Sequence, residues 1–398
     1  MRENKVRYVV GNESVSVRPR VPFDDLVCQF LDDFSKEILR DPALKSYPDV
    51  VSFAFWIRKA NIQKEKEKHV SGYPRLGRGL AFHIAPSNVP INSMFSFVFG
   101  LLSGNSNIVR ISSKEFPQVR LLCEKMNELL EQEAYVSIKD ENALIQYERD
   151  QEITNHYSAM ADVRIVWGGD DTIQEIRKSP MKPRGKEIVF AYRYSFGLIS
   201  PEYVLGLSAG EMKNLATGFY NDTYLMDQNA CSAPHMIVWV SEDQEKIRQA
   251  QNRFWRQVYE EAQRYTLEDI KSSEKYTSLC LYAAQHGKST EDASVLQYDN
   301  LLYVVDETRA PKALCERRGK FGMFYQCRIS DLDEICSAID QKVQTVAVAG
   351  IEEVEVRNWI VKNHLPGIDR VVPFGKTLDI GLIWDGYDLI TEMSRLIG

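Results

Sequence analysis

From near residue 79 onward, short apolar runs alternate with helical stretches over and over along the chain. Leu80–Ala85 is an apolar strand, followed by an apolar helix from about Ile91 to Ser103. Asn107–Ser112 is a second strand, with an amphipathic helix behind it from about Phe116 to Leu130. Ala143–Tyr147 and Val163–Trp167 are further strands; Gly168-Gly169 closes the latter, a short helix runs to about Lys178, and Glu187–Ile199 reads as one more strand. Such a succession calls for a mainly parallel sheet, because each parallel return needs a crossover whose helix buries its apolar face on the sheet. The pattern restarts after Ser200-Pro201 with a helix near 209–219, a strand His235–Val240 and a long helix from about Asp243 to Tyr265. Strands near Leu301–Val305 and Gln344–Val348 and helices near 331–340 and 353–364 complete it. The expected class is α/β, with a Rossmann-like domain over 61–199 and a second α/β domain over 200–370. Leu26, Phe30, Phe34, Ile38 and Leu39 recur at helical spacing, so 1–60 reads as an N-terminal helical segment. Residues 371–398 read as a C-terminal segment on the first domain or at an oligomer interface.

Charge narrows the function. Forty-nine basic against 56 acidic side chains give a net charge of -7, which argues against a nucleic-acid binder. The opening MRENKVRYVVGNES has no apolar core of a secretory leader, so a cytoplasmic protein is expected. The most apolar stretch, Leu80 to Leu102, is interrupted by His83, Pro86, Asn88, Pro90 and Asn92, and is read as strand, turn and buried helix rather than a membrane span. Lys64 to His69, a run of charge, reads as a solvated face. Seven cysteines, an odd number with no C-x-x-C pair, point to reduced thiols and to no metal site. Cys123, Cys280 and Cys336 sit among apolar neighbours and read as core fillers.

Four segments can carry chemistry. Cys231, in Met226-Asp-Gln-Asn-Ala-Cys-Ser-Ala-Pro-His235, is flanked by small and polar residues just before a strand, unlike a structural core cysteine. A reactive thiol needs a partly exposed setting that favours thiolate, and a turn presenting backbone N–H groups supplies one; a plain loop cysteine fits the same local pattern. Phe82-His-Ile-Ala-Pro-Ser-Asn-Val-Pro runs a strand into a turn that exposes Asn88, whose amide can stabilise an oxyanion or simply serve the turn. Arg110-Ile-Ser-Ser-Lys114 places cationic and hydroxyl groups at a strand end, which suits a phosphorylated ligand. Trp167-Gly168-Gly169-Asp-Asp-Thr172 is a strand-to-helix turn where backbone can approach a pyrophosphate, although it does not match G-x-G-x-x-G. His83 on its apolar strand reads as a core residue. His235 is weakly linked to Cys231, since four strand residues span roughly 13 Å.

Taken in order, HIAPSNVPIN (83–92), GLLSGNSNIVRISSK (100–114), VRIVWGGDDTI (163–173), DQNACSAPH (227–235) and RVVPFGKTLDIGLIWDGYDLI (370–390) resemble the acyl-CoA reductase branch of the aldehyde dehydrogenase superfamily. The resemblance spans most of the chain from about residue 77. It implies a cofactor domain, a catalytic domain holding a nucleophile, and a terminal segment that helps assemble a homo-oligomer. Cys231 then matches the acyl-accepting cysteine, and Asn88 the asparagine that forms the oxyanion hole with the cysteine's own backbone N–H. Ser87 replaces a tryptophan beside the cofactor; Arg110, Ser112 and Ser113 fall against the adenosine ribose; Gly168, Gly169 and Thr172 fall beneath the pyrophosphate.

Two departures from the family matter. Ser113 stands where NAD enzymes carry the acidic residue that grips the ribose hydroxyls. Without that carboxylate a 2′-phosphate is tolerated and Arg110 or Lys114 can pair with it, so NADPH is expected. Glu187-Ile-Val-Phe-Ala-Tyr-Arg-Tyr-Ser-Phe-Gly197 lacks the Glu-Leu-Gly-Gly of hydrolytic relatives, with Glu187 the one carboxylate there that could replace their base. The resemblance therefore implies reduction of a fatty acyl-CoA or acyl-protein thioester to aldehyde, with a synthetase as a possible acyl-donating partner. A cofactor-independent acyltransferase or thioesterase and a non-catalytic scaffold are the alternatives. No general acid is identified, and Trp384-Asp385-Gly386-Tyr387 fits an acyl tunnel, an oligomer contact or a packing cluster.

Overall fold

In the computed structural model, residues 6–69, 72–87, 89–285, 294–307 and 309–398 are described. They form two compact units, one of residues 1–191 with 387–398 and the other of residues 192–386.

The first unit is built on strands β1 (Arg7–Val10), β2 (Arg75–Gly77), β3 (Leu80–Ile84), β4 (Ser106–Arg110), β5 (Asn142–Gln146), β6 (Val163–Trp167) and β7 (Lys186–Phe190). Helices α1 (Asp25–Arg40), α2 (Pro42–Lys45), α3 (Pro48–Trp56) and α4 (Lys59–Lys68) come before β2, and α5 (Asn92–Leu102) follows β3. Next come α6 (Pro117–Leu130), α7 (Val136–Asp140), α8 (Gln151–Met160) and α9 (Asp170–Arg177). The main sheet has the order β1-β5-β4-β3-β6-β7. All neighbours in it are parallel except β1, which runs antiparallel to β5 along the edge. From β3 the chain winds outward through β4 to β5, then returns to β6 on the other side of β3. The place where winding reverses, between β3 and β6, is where doubly wound sheets open a crevice at the carboxyl ends of their strands.

One face of this sheet packs Phe82, Ile84, Ile108, Ile145 and Val166 against Tyr157 of α8 and Ile173 and Ile176 of α9. The opposite face holds a buried polar chain. His83 Nδ1 lies 2.8 Å from Ser96 Oγ, and Trp167 donates its indole N–H to the same oxygen at 3.0 Å. His83 Nε2 lies 3.1 Å from Asn107 Oδ1, while the Asn107 amide donates to Asn105 O and Asn142 Oδ1. That orientation makes Asn107 Oδ1 an acceptor, so His83 carries its proton on Nε2 and accepts from Ser96 through Nδ1. Burial depresses the imidazole to about 4, so it is neutral near pH 7. His83 is a satisfied core residue.

The second unit carries β8 (Tyr194–Ile199), β9 (Pro234–Val240), β10 (Val295–Tyr298), β11 (Leu302–Asp306), β12 (Met323–Ile329), β13 (Val343–Ala349) and β14 (Arg370–Pro373). Its helices are α10 (Pro201–Gly206), α11 (Ala209–Thr223), α12 (Gln244–Ala262), α13 (Asp269–Gln285) and α14 (Glu353–Lys362). The order is β10-β11-β12-β9-β8-β13-β14, parallel except for the edge strand β10. Helices cover both faces, so β9 is buried along nearly its whole length: Met236 and Val238 enter one core, Ile237 and Trp239 the other. In the second core the Trp239 and Trp255 indole N–H groups both donate to Gln326 Oε1, at 3.1 and 2.7 Å.

Several expectations change. Glu187–Ile199 is two strands in two different sheets, β7 and β8, with the unit boundary after Ala191 instead of after Ile199. Both halves are apolar enough for a strand, and no glycine or proline marks the join. The N-terminal segment is not purely helical, because Arg7–Val10 supplies an edge strand, and α1 packs within the first unit through Phe30 edge-on to Tyr135, 5.3 Å between centroids. The last stretch divides: residues up to Gly386 belong to the second unit, while Ser394–Leu396 pairs antiparallel with β2 in the first. The helix near 331–340 is a 3₁₀ segment, Leu332–Ala338. Strand β12 and helix α13 had no sequence signal we recognised. No described helix is long and apolar enough to cross a membrane, and no cluster of metal-ligating side chains occurs among the described residues.

Candidate active site

In the first unit the sheet brings three of the four singled-out segments to one edge. The turn after β3 (Ala85-Pro-Ser87), the end of β4 (Arg110 to Lys114) and the turn after β6 (Gly168-Gly169) are neighbours because β3 pairs with both β4 and β6. Asn88 lies outside the described residues. Ser87 is exposed at a bend.

Arg110 lies over the Tyr147 ring, 4.4 Å from its centroid, and its Nη2 donates to Tyr147 O at 3.3 Å. Its Nε is buried without a hydrogen-bond partner. Ser113 Oγ donates to the same carbonyl at 3.3 Å, and Ser112 Oγ accepts the Lys114 N–H at 3.0 Å, so the R-I-S-S-K segment is a compact, cationic turn. At the start of α9, Thr172 packs so closely on Gly168 that an added Cβ would meet Thr172 Cγ2 at 3.1 Å. A Cβ on Gly169 would meet nothing within 4 Å, and no side chain caps the helix there. Uncapped N–H groups and open space beside Gly169 suit a pyrophosphate, and the spare buried Arg110 donor suits a further anion. Asp170 and Asp171 in the first turn limit how much positive potential that end presents.

Glu187 is committed elsewhere. Arg164, almost wholly buried, reaches it through Nε at 3.0 Å and through Nη2 at 2.5 Å, and Arg177 Nε adds a contact at 2.7 Å. Both of its oxygens are taken by guanidinium groups, so neither is free to orient a water. Glu187→Gln is expected to lower stability by about 3 kcal/mol, because a buried cation loses its partner, and chemical denaturation measures it. In the reduction that the resemblance implies, the ratio of acid to aldehyde product should stay unchanged; a fall in acid would restore Glu187 as a base.

In the second unit Cys231 is half-buried in a turn ahead of β9, at the amino edge of the sheet. Asp227 and Gln228, both with positive φ (53° and 58°), reverse the chain after α11. Left-handed backbone at two successive residues other than glycine needs outside support. Gln228 supplies it: fully buried, it donates through Nε2 to Met323 O at 3.0 Å and accepts the Gly322 N–H through Oε1 at 2.7 Å. Asp227 is held by Lys271 at 3.1 Å and by the Tyr265 hydroxyl. Ser195 Oγ donates to Cys231 O at 2.7 Å and accepts the Thr345 N–H at 3.1 Å, which staples the turn to β8 and β13.

Burial pushes the Cys231 thiol up; the main-chain N–H of Arg193 facing the sulfur opposes that, as do the Arg318 and Arg193 charges, while Asp385 reinforces it. His235 is fully buried, with Nδ1 donating to Gly319 O at 2.9 Å and its ring stacked on Tyr194 at 5.4 Å. Burial and the nearby Arg318 hold it well below the usual histidine range, so it cannot serve as a charged acid near neutrality. The sequence assigned no individual role at this site to Arg193, Ser195, Gln228 or Asp385, although Gln228 and Asp385 lie in the D-Q-N-A-C and W-D-G-Y segments that it singled out. The paired polar residues Asp227-Gln228 before a candidate nucleophile were the one available hint.

Residues 61–396 match the acyl-CoA reductase (LuxC) family. The chain belongs to that family. Among curated relatives of this chain is the long-chain acyl-protein thioester reductase 2 of Photobacterium leiognathi, 22% identical over 332 residues, which cover 81% of this chain and 63% of the relative. The long-chain acyl-protein thioester reductase of Aliivibrio fischeri is 20% identical over 326 residues, 80% of this chain and 63% of the relative. The chain thus spans about 63% of the length of these relatives. Solved structures share the aldehyde dehydrogenase fold. A Thermus 1-pyrroline-5-carboxylate dehydrogenase with bound NAD is similar with TM-score 0.62 and 12% identity, covering 93% of this chain and 80% of that one. A Bacillus halodurans NADP-dependent glyceraldehyde-3-phosphate dehydrogenase complexed with NADP gives 0.55 and 15%, covering 93% and 83%.

Proposed function

We propose that this chain reduces a fatty acyl thioester to the aldehyde, with Cys231 as acyl acceptor and NADPH as reductant. The observation that carries the reading is the Cys231 turn: a half-buried thiol on a reversed, externally clamped segment, in a chain of the acyl-CoA reductase family. The thiol loses its proton and the sulfur attacks the acyl carbonyl carbon; the bond to the donor sulfur breaks, and the donor thiol leaves with a proton. Asn88 and the Cys231 N–H are the proposed oxyanion donors. A bound nicotinamide nucleotide would supply the hydride that turns the acyl group into an aldehyde, and the sulfur of Cys231 leaves as thiolate, ready for the next acyl group. Arg110, Ser112, Ser113 and the Gly168-Gly169 turn, with Thr172 against it and Ser87 nearby, are the residues proposed to hold that nucleotide. The double pairing of Glu187 supports reduction over hydrolysis.

The acyl donor is proposed to be an acyl-CoA, as the family's name has it, or a protein-bound acyl group, as the relatives' names have it for them, with a synthetase as the partner in the second case. The test is aldehyde analysis with a chain-length series of acyl-CoAs and NADPH; consumption of thioester with no aldehyde would sink the proposal. The coenzyme choice rests on Ser113 and on the unpaired Arg110 donor. kcat/KM is expected to favour NADPH over NADH, and Arg110→Gln should cut that ratio about tenfold, the size of one lost charge-assisted hydrogen bond, by lowering the NADPH value alone.

A further inference from the structure

Starts of the parallel strands in the second unit line up at one edge of its sheet. Arg193 lies just before β8, Cys231 just before β9, Gln344 near the start of β13, Asp369 just before β14, and Asp385 in the left-handed turn with Gly386. Arg193 is the hub of this edge. Its guanidinium contacts Asp369, lies 3.9 Å from Asp385, and donates to Val343 O at 2.9 Å. Its carbonyl accepts from Arg318 at 3.0 Å. Asp385 also accepts from the Gln344 amide, and an added Cβ on Gly386 would lie 3.0 Å from Asp369.

We propose that Arg193 is a positioning residue that sets the reactivity of Cys231: the two precede the neighbouring strands β8 and β9 at one edge, Ser195 two residues further on donates to the Cys231 carbonyl, and the Arg193 guanidinium lies 3.9 Å from the Asp385 carboxylate that it neutralises. The arrangement separates two jobs. The backbone of Arg193 is fixed by its own side chain and by Arg318, so the N–H that faces the sulfur is held in place. The same side chain offsets a buried negative charge that would disfavour thiolate; burial already raises the Asp385 carboxyl. Among the described residues, the charged groups that act on Cys231 are Arg193, Arg318, Asp385 and, through Arg193, Asp369; Tyr194 and His235 pack beneath with no charge near neutrality. The functional meaning of this tuning rests on Cys231 being the acyl acceptor, but the tuning itself does not.

The test is the pH dependence of iodoacetamide alkylation, read on the Cys231 peptide by mass spectrometry so that the other thiols do not contribute. Arg193→Gln is expected to move the midpoint up and slow alkylation at pH 8 about tenfold, one pKa unit. Asp385→Asn should move it down and speed alkylation, and the double variant should return towards wild type. Arg193→Lys, which keeps the charge, guards against a merely misfolded protein and should stay within about threefold of wild type, less than half a pKa unit. Equal midpoints in all four variants, with altered melting temperatures only, would overturn the proposal. If the midpoints shift as stated but Cys231→Ala still makes aldehyde, the tuning stands and the acyl-acceptor assignment fails.

Discussion

Replacing Cys231 with serine is expected to lower aldehyde formation by roughly 10⁴-fold or more, the scale seen when a covalent nucleophile is removed. Serine fits the turn, which is stapled to β8 through the Cys231 carbonyl, so the folded state should persist with an unchanged melting temperature. What is lost is the nucleophile: a hydroxyl at its ordinary pKa is far weaker than a thiolate. Labelled acyl-CoA should no longer mark the protein, and product analysis should show no aldehyde above the uncatalysed level. Persistent labelling of Cys231→Ser at a peptide other than the 231 peptide would transfer the acyl group to another residue and end the proposal.

The second large effect is expected at Gln228, which touches no reacting atom. Gln228→Leu leaves the Gly322 N–H and the Met323 carbonyl buried without partners, and puts a bulkier carbon chain at a position of positive φ. The loss should reach about 3 kcal/mol, from two stranded polar groups at 1–3 kcal/mol each less the gain from apolar burial. Because Gln228 orders the turn that presents Cys231, acylation should fall about 100-fold, the penalty of an ångström-scale misplacement, at temperatures where the protein is still folded. Gln228→Glu keeps an acceptor for Gly322 but no donor for Met323 and brings a buried charge, so it should be no better. Denaturant melts and the rate of acyl labelling measure both effects. Wild-type labelling in a destabilised Gln228→Leu would show that the turn holds itself, without the clamp.

Which parts of this site could be read from sequence follows from how local each signal is. Cys231 stood out because its neighbours are small and polar while those of Cys123 and Cys280 are apolar; Gly168-Gly169 and the R-I-S-S-K turn stood out because they end apolar runs. The split of 187–199 into two strands left no mark, because Glu187–Phe190 and Tyr194–Ile199 each have strand composition and only the sheets they join tell them apart. Glu187 was open as a catalytic base in the sequence, and its two arginine partners, at 164 and 177, come to it only when β6, β7 and α9 assemble.

Most of the strand–helix alternation and the α/β class of both units were legible along the chain, because they depend on apolar periodicity over a few residues, whereas the local pattern around Cys231 left it between a reactive thiol and a plain loop cysteine until the family resemblance was added. Tertiary structure alone decided what surrounds the sulfur. Arg193, Arg318, Asp369 and Asp385 are scattered along the second unit, and they meet because parallel strands begin at a common edge; a buried charge then acts on a thiol through a short distance in space that no spacing along the chain encodes.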